Sequence, residues 1–408
     1  MAQNAESAAP LATGTKFGLR KMQPRNPFEA FRSASPLELF FDLIFVVAVS
    51  LASAALHHAE SADHLVEGVT GYLMVFFAIW WAWMNFTWFA SAFDTDDWVY
   101  RVFTLLQMGG VIVLAIGTGP ASREFDFTLI VIGYVIMRIA LVAQWVRAAL
   151  SHPDYKRTAL RYAFGIAIVQ VCWVGILLVP TEWIALLFIA LVVAELAVPV
   201  FAESANQTPW NPEHIADRYA CFTMIVLGES VLAATTAFAS ATEHGSYSAS
   251  LIPIGISSFV IAAGMWWVYF SAEVISRLET VRSALPFGYG HYFVFAAAGA
   301  FSAGVNVLLE IELGEAKLPA TIAGLTLTVP VALFLLGVWL LILKHRLQGV
   351  TRVLVPVLAL VVAACAFAPW PAVAVALVIV AIVVLIESSE VLSSQDFTEH
   401  TAVDAGVR

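Results

Sequence analysis

Five ionisable side chains fall inside long apolar runs: Glu38, Asp42, Arg138, Glu195 and Glu229. A charge at such a position costs several kcal/mol unless it is paired or reached by water, so each one asks for an explanation. Buried carboxylates can exchange protons or neutralise a passing cation, and a permanently charged arginine is suited to be their counter-ion. Ser35-Pro36-Leu37-Glu38 has the pattern of a helix start, with Ser35 as cap, Pro36 at the first helical position and Glu38 placed to complete a capping box. That structural reading of Glu38 stands beside a functional one. Asp42 follows one turn deeper on the same face and has no capping role, which leaves a pathway group or a structural ion pair. Glu229 lies in Gly228-Glu229-Ser230, where it either lines a pathway or joins Ser230 in gluing two closely packed helices. Arg138 must find an acid or a wet cavity, and Asp42, Glu195 and Glu229 are its candidate partners. Glu195 is open to both roles.

Other polar and aromatic clusters carry weaker signals. His57, Glu60 and His64 would share one face if their helix continued, a spacing able to hold a divalent cation. A solvated loop is the plainer reading, and no metal site is assigned. His291 could titrate near neutral pH or simply pack. The run from Trp80 to Trp88 is too long for an interface belt alone. It reads as aromatic packing at the bundle centre or as a substrate wall, with Trp80, Trp81, Trp266 and Trp267 as the wall candidates.

The elements that must hold these groups are membrane helices. Of 408 residues 61% are hydrophobic and only 12% charged, and the mean hydropathy is +0.85. A soluble domain carries about 25% charged residues. A soluble enzyme, a disordered chain and a disulfide scaffold are excluded on this balance. The net charge of −10 gives no footing for nucleic acid, and Cys172, Cys221 and Cys365 sit in apolar surroundings as small hydrophobes. Nothing calls for a cofactor. The residues from Met1 to Arg25 are polar, so no cleavable signal peptide is expected and the first span must direct insertion.

About twelve apolar runs can be marked, six between about 36 and 201 and six between about 217 and 387, so the expected fold is an all-α polytopic bundle. Pro180, Pro286 and Pro369 are read as marking short connections. The expected organisation is a polar tail over 1–34, a six-helix unit over 35–201, a linker over 202–216, a second six-helix unit over 217–390 and a tail over 391–408. With the N-terminus inside, nearly all of the 20 Lys and Arg, Arg218 among them, fall on the cytoplasmic side. Arg123 and Lys317 lie opposite, and Arg138 lies within a span. This bias places both termini in the cytoplasm. The halves also echo each other, because Asp42 and Glu229 precede the second Trp of each pair by 39 and 38 residues. Two parallel repeats are expected.

The stretch Pro36-Leu-Glu-Leu-Phe-Phe-Asp42-Leu-Ile-Phe-Val resembles the hallmark first span of the bacterial low temperature requirement A family. Arg218-Tyr-Ala-Cys-Phe-Thr-Met-Ile-Val-Leu-Gly-Glu229-Ser230, with Asp217 just ahead, resembles the family's second hallmark, and Tyr289-Gly-His291 resembles its tyrosine–histidine patch. The resemblance covers about residues 33 to 390. It implies a multi-span protein of the bacterial inner membrane and assigns no substrate. A more distant similarity is to twofold six-span potassium channels with Phe-Ser-Asp in the first span of each repeat. Here Phe-Phe-Asp and Gly-Glu-Ser depart from that element, and no channel function is carried over.

The functional expectation is an ion or small-solute transporter or channel that works through intramembrane carboxylates, with a proton or small cation and the lipid bilayer as partners. A non-transporting scaffold or a lipid or temperature-stress sensor is the alternative, and an intramembrane enzyme a third. The sequence does not specify the oligomeric state.

Overall fold

The computed structural model describes residues 19–404 apart from 28, 30–31, 94, 244–250, 273–277, 279 and 317. Lys16, Arg277, Lys317 and Arg408 of the charge asymmetry, and most of the expected N-terminal tail, lie outside the described residues. Twelve α-helices follow in order: α1 (Pro36–Ser61), α2 (Leu65–Phe93), α3 (Trp98–Glu124), α4 (Thr128–Ser151), α5 (Lys156–Gly175), α6 (Thr181–Glu203), α7 (Pro212–Glu243), α8 (Leu251–Phe270), α9 (Val281–Leu313), α10 (Ala320–Leu341), α11 (Thr351–Ala364) and α12 (Pro371–Asp404). No strand occurs among the described residues. Among the described residues eleven segments are long and apolar enough to cross a membrane, while the one built on α11, Thr351–Phe367, is shorter. The protein is a polytopic helical membrane protein.

Local chemistry sets the helix starts. The Ser35–Glu38 capping box opens α1, Asp97 caps α3 by accepting from the Tyr100 amide at 2.9 Å, and Asn211 Oδ1 accepts from the His214 amide at 2.9 Å at the head of α7. A second capping box, Thr280 with Ser283, opens α9. This box corrects the reading of Pro286 as a connection marker. The helix has already begun at Val281, so Pro286 lies within α9.

Helices pack in the same order in both halves. In each, the third helix lies on the first and the fourth, the fourth on the fifth and the fifth on the sixth. Small residues permit this closeness, since association in lipid gains from backbone approach rather than from a hydrophobic driving force. A Cβ at Gly133 of α4 would stand 2.5 Å from the Gly110 carbonyl oxygen of α3, and one at Gly304 of α9 would collide with the Thr326 carbonyl of α10. Gly133→Val and Gly304→Val should each destabilise the bundle by about 1–3 kcal/mol. Thermal unfolding in detergent checks this against Gly109→Val, whose Cβ meets nothing within 4 Å. Equal melting of all three variants would refute the close-approach account.

One end of the first half is tied by Asp97. Its carboxylate pairs with Arg147 of α4 and accepts from the Arg20 amide at 3.1 Å, joining the N-terminal segment to α3 and α4. Burial works against the charged carboxyl, but the Arg147 bond and the Tyr100 and Arg20 amides outweigh it and hold the carboxyl below its ordinary value. A lowered value means that the stabilisation is present above the unfolded carboxyl's value, about 3.9, and fades as pH falls through the folded one. Melting temperature should therefore drop on acidification below about pH 4, and Asp97→Asn should flatten that part of the profile. An unchanged profile in the variant would show that other carboxylates govern the acid limb.

The two halves meet where α1 packs on α7 and α9 and where α2 packs on α7 and α9. The most buried aromatic side chains lie along that seam, Trp80, Trp81 and Trp83 of α2 and Tyr219 of α7 among them.

Candidate functional site: two charge clusters either side of α2

Two side chains on one turn of α1 face two on one turn of α7. Glu38 and Asp42 are four residues apart, as are His214 and Arg218, so each pair presents a single helix face. Arg218 donates to Asp42 Oδ1 at 2.6 Å and lies 3.2 Å from Glu38 Oε1, while His214 Nε2 stands 3.1 Å from the same Glu38 oxygen. Trp83 of α2 donates its indole N–H to Asp42 Oδ1 at 2.7 Å. Glu38 also fulfils its capping role, with Oε2 accepting from the Ser35 amide at 2.8 Å. Both the cap and the ion pair are present in one carboxylate. All four ionisable side chains are buried.

The charge count of this cluster sets its chemistry. Two carboxylates face Arg218 and His214, and the buried Arg32 guanidinium acts on His214 from the segment before α1, so the protonation of His214 and the two carboxyls sets the net charge inside the bundle. Asp42 Oδ2 has no hydrogen-bond partner among the described residues. The arrangement can hold or give up a single proton, or substitute a small cation for it.

The second cluster lies on the far side of α2. Arg138 of α4 meets Glu195 of α6 at 3.3 Å, which selects Glu195 from the three acids considered and leaves Asp42 and Glu229 to other partners. Trp81 donates to Glu195 Oε2 at 2.7 Å and Trp173 of α5 to Oε1 at 3.2 Å, and the Arg138 guanidinium lies 5.1 Å from the Tyr134 ring. Here one charge meets one charge, and the pair is neutral without a proton. Trp81 and Trp83, two residues apart, point to opposite sides of α2 and serve one cluster each.

Glu229 stands apart from both. It is buried on α7, with the hydroxyls of Ser50 of α1 and Ser302 of α9 beside its carboxyl, and Oε2 has no hydrogen-bond partner among the described residues. Ser230 donates to the Ala298 carbonyl of α9 at 3.3 Å, the helix-joining contact that its position suggested. Ser50 is eight residues beyond Asp42, about 12 Å along α1 at 1.5 Å per residue. Between the two levels Phe222 of α7 stacks on Trp83 at 4.5 Å and meets Phe295 of α9 at 4.9 Å, closing the space with rings.

The remaining candidates divide. His291 is buried, with Nδ1 2.7 Å from the Phe287 carbonyl oxygen and Nε2 3.0 Å from the Tyr269 hydroxyl. A carbonyl only accepts, so in the neutral ring Nδ1 carries the hydrogen and Nε2 accepts from Tyr269. Trp80 and Trp81 are 1% exposed and pack against Tyr289 of α9 at the bundle centre. Trp266 and Trp267, at 43% and 46%, form no such wall and correct that expectation, because they lie on the outward face of α8, whose Met265, Val268 and Tyr269 are buried. Trp267 instead donates to Glu387 of α12 at 2.8 Å, the same second-to-sixth helix bond that Trp81 makes to Glu195.

The shared face of His57, Glu60 and His64 is also corrected. His57 lies 2.9 Å from Glu310 of α9, Glu60 is buried elsewhere and His64 is exposed.

Two site residues escaped sequence reasoning. Arg218 was counted with the loop-side positive charges and is instead fully buried; the signal was its place three turns before Glu229 at the start of the second motif. His214 had one signal, its spacing of four from Arg218. Asp217, beside Arg218, accepts from the Ala34 amide at 2.7 Å and fixes the approach to α1.

The family model for bacterial low temperature requirement A protein matches residues 33–387. An uncharacterized protein of Rhizobium meliloti (strain 1021) is 30% identical over 293 residues, which cover 65% of this chain and 68% of that protein.

Proposed function

This chain belongs to the bacterial low temperature requirement A family, and within that frame we propose that it moves a proton or small cation along the line of α1, α7 and α9. The observation that carries the reading is the cluster of Glu38, Asp42, Arg218 and His214, which buries two carboxylates and an imidazole together and leaves Asp42 Oδ2 without a hydrogen-bond partner among the described residues. Glu229, beside Ser50 and Ser302, supplies a second station about 12 Å further along. The rings of Phe222, Trp83 and Phe295 between them support a carrier or gated pathway rather than an open pore. The Arg138–Glu195 pair, balanced and clothed by two indoles, is a lock between α4 and α6 and takes no part in transfer.

Purified protein in proteoliposomes tests the reading: a pH or cation gradient should drive flux above that of protein-free vesicles. Phe222→Ala opens the ring block and should raise passive leak several-fold. Flux at background in both proteins would favour a membrane scaffold or sensor whose charges only lock the bundle.

Two arrangements belong to the same reading. The matched indole–carboxylate bonds, Trp81 to Glu195 and Trp267 to Glu387, support descent of the two six-helix units from one duplicated unit. The Lys and Arg bias supports an inner-membrane protein with both termini in the cytoplasm. In a background free of native cysteine, an impermeant thiol reagent applied from outside should label Ala62→Cys, in the turn after α1, and spare Gln207→Cys. The opposite pattern would invert the topology.

A further inference from the structure

A cavity of about 320 Å³ opens between α1, α2, α9 and α10. This lies within the roughly 300–1,000 Å³ of ordinary small-ligand pockets. Its walls are hydrocarbon, with Leu56, Leu73, Ala297 and Leu333 among them, and three polar side chains interrupt them: Glu60, Tyr72 and Thr326. The Tyr72 hydroxyl is spent on the Ala296 carbonyl at 2.7 Å and the Thr326 hydroxyl on Ala323 at 2.8 Å. Glu60 is different. It is 4% exposed, and its Oε2 has no hydrogen-bond partner among the described residues.

We propose that this cavity binds a compact amphipathic amine, with Glu60 as the counter-ion to its nitrogen and the apolar walls around its hydrocarbon body. A buried carboxyl without a partner is costly, and an ammonium group both neutralises it and donates hydrogen bonds to it. An anionic amphiphile would find no counter-charge there. An acyl chain would fill the walls and leave Glu60 as it is. Leu73, Phe293 and Leu333 are 40%, 63% and 50% exposed on the bundle's outer face, so the mouth lies where apolar molecules arrive from the bilayer. An amine can cross lipid as the neutral base and take its proton from Glu60 on arrival, a transfer that leaves the total charge of the cavity unchanged. The inference does not rest on the transport reading, since Glu60 is no part of the α1–α7 line.

The experiment is equilibrium binding of radiolabelled 1-adamantanamine to the full-length protein in nanodiscs, with adamantan-1-ol and adamantane-1-carboxylate as competitors. The amine should bind saturably at one site, and the alcohol and the carboxylate should compete at least about tenfold less well. Glu60→Gln should weaken amine binding about tenfold or more and leave alcohol binding unchanged. Glu229→Gln should leave both as they are. Ala297→Trp puts a bulky ring into the cavity without touching the carboxyl and should abolish amine binding, which keeps the test decisive if Glu60→Gln does not fold. Absence of saturable amine binding overturns the proposal. So does equal competition by amine and alcohol with no effect of Glu60→Gln, which would assign the cavity to acyl chains. Persistence of binding in folded Ala297→Trp overturns it as well.

Discussion

Arg218→Met should leave little folded protein in the membrane, the largest stability loss of any single charge removal in the chain. Arg218 serves two buried acids at once, Asp42 at 2.6 Å and Glu38 at 3.2 Å. Taking one member from a buried ion pair costs about 3–5 kcal/mol, and here two acids lose their arginine at once, Asp42 keeping a single indole donor and Glu38 the Ser35 amide and His214. Arg138→Met should cost less, because Glu195 keeps the Trp81 and Trp173 indole donors when its arginine goes. The triple variant Arg218→Met, Glu38→Gln, Asp42→Asn removes the orphaned charges and should recover much of the folded fraction. Size-exclusion profiles of detergent-extracted protein, normalised to total expression, measure all three. If Arg218→Met elutes as the parent does, the cluster has no structural weight and its charges must be reached by water.

Glu229→Gln should do the reverse, folding as the parent folds and losing its flux. Glutamine keeps the shape of the side chain beside the Ser50 and Ser302 hydroxyls, so the stability change should stay within about 1 kcal/mol. What it removes is the ability to take up a proton or neutralise a cation at the second station. Flux per folded molecule in proteoliposomes should fall to that of protein-free vesicles. Ser302→Ala, which deletes one hydroxyl beside the carboxyl, should only reduce it. Normal flux in Glu229→Gln would retire this acid from the pathway and leave it as glue between α7 and its neighbours.

Some of this architecture was legible in the residues themselves. Long apolar runs in a chain with 12% charge admit only helices spanning a membrane, because lipid offers no partner to an open backbone. Ser35-Pro36-Leu37-Glu38 specified the start of α1, because a capping box is completed within four consecutive residues. The buried acids also stood out individually, since a charge in an apolar run is conspicuous wherever its partner lies.

What the sequence alone left undecided was pairing. Asp42 and Arg218 are 176 residues apart and Arg138 and Glu195 are 57 apart, and only the packing of α1 on α7 and of α4 near α6 selected those partners. Hydropathy placed Trp81 and Trp267 in equivalent runs, yet one is enclosed and the other faces outward, because burial depends on which helices lie alongside. The same holds for Glu60, whose position at the end of α1 read as a loop. The chain determined by itself which segments enter the membrane, since transfer of apolar side chains from water is a local, additive term. The tertiary structure decided which charges meet, because Coulomb and hydrogen-bond energies depend on ångström-scale distances between helices that no one-dimensional pattern specifies.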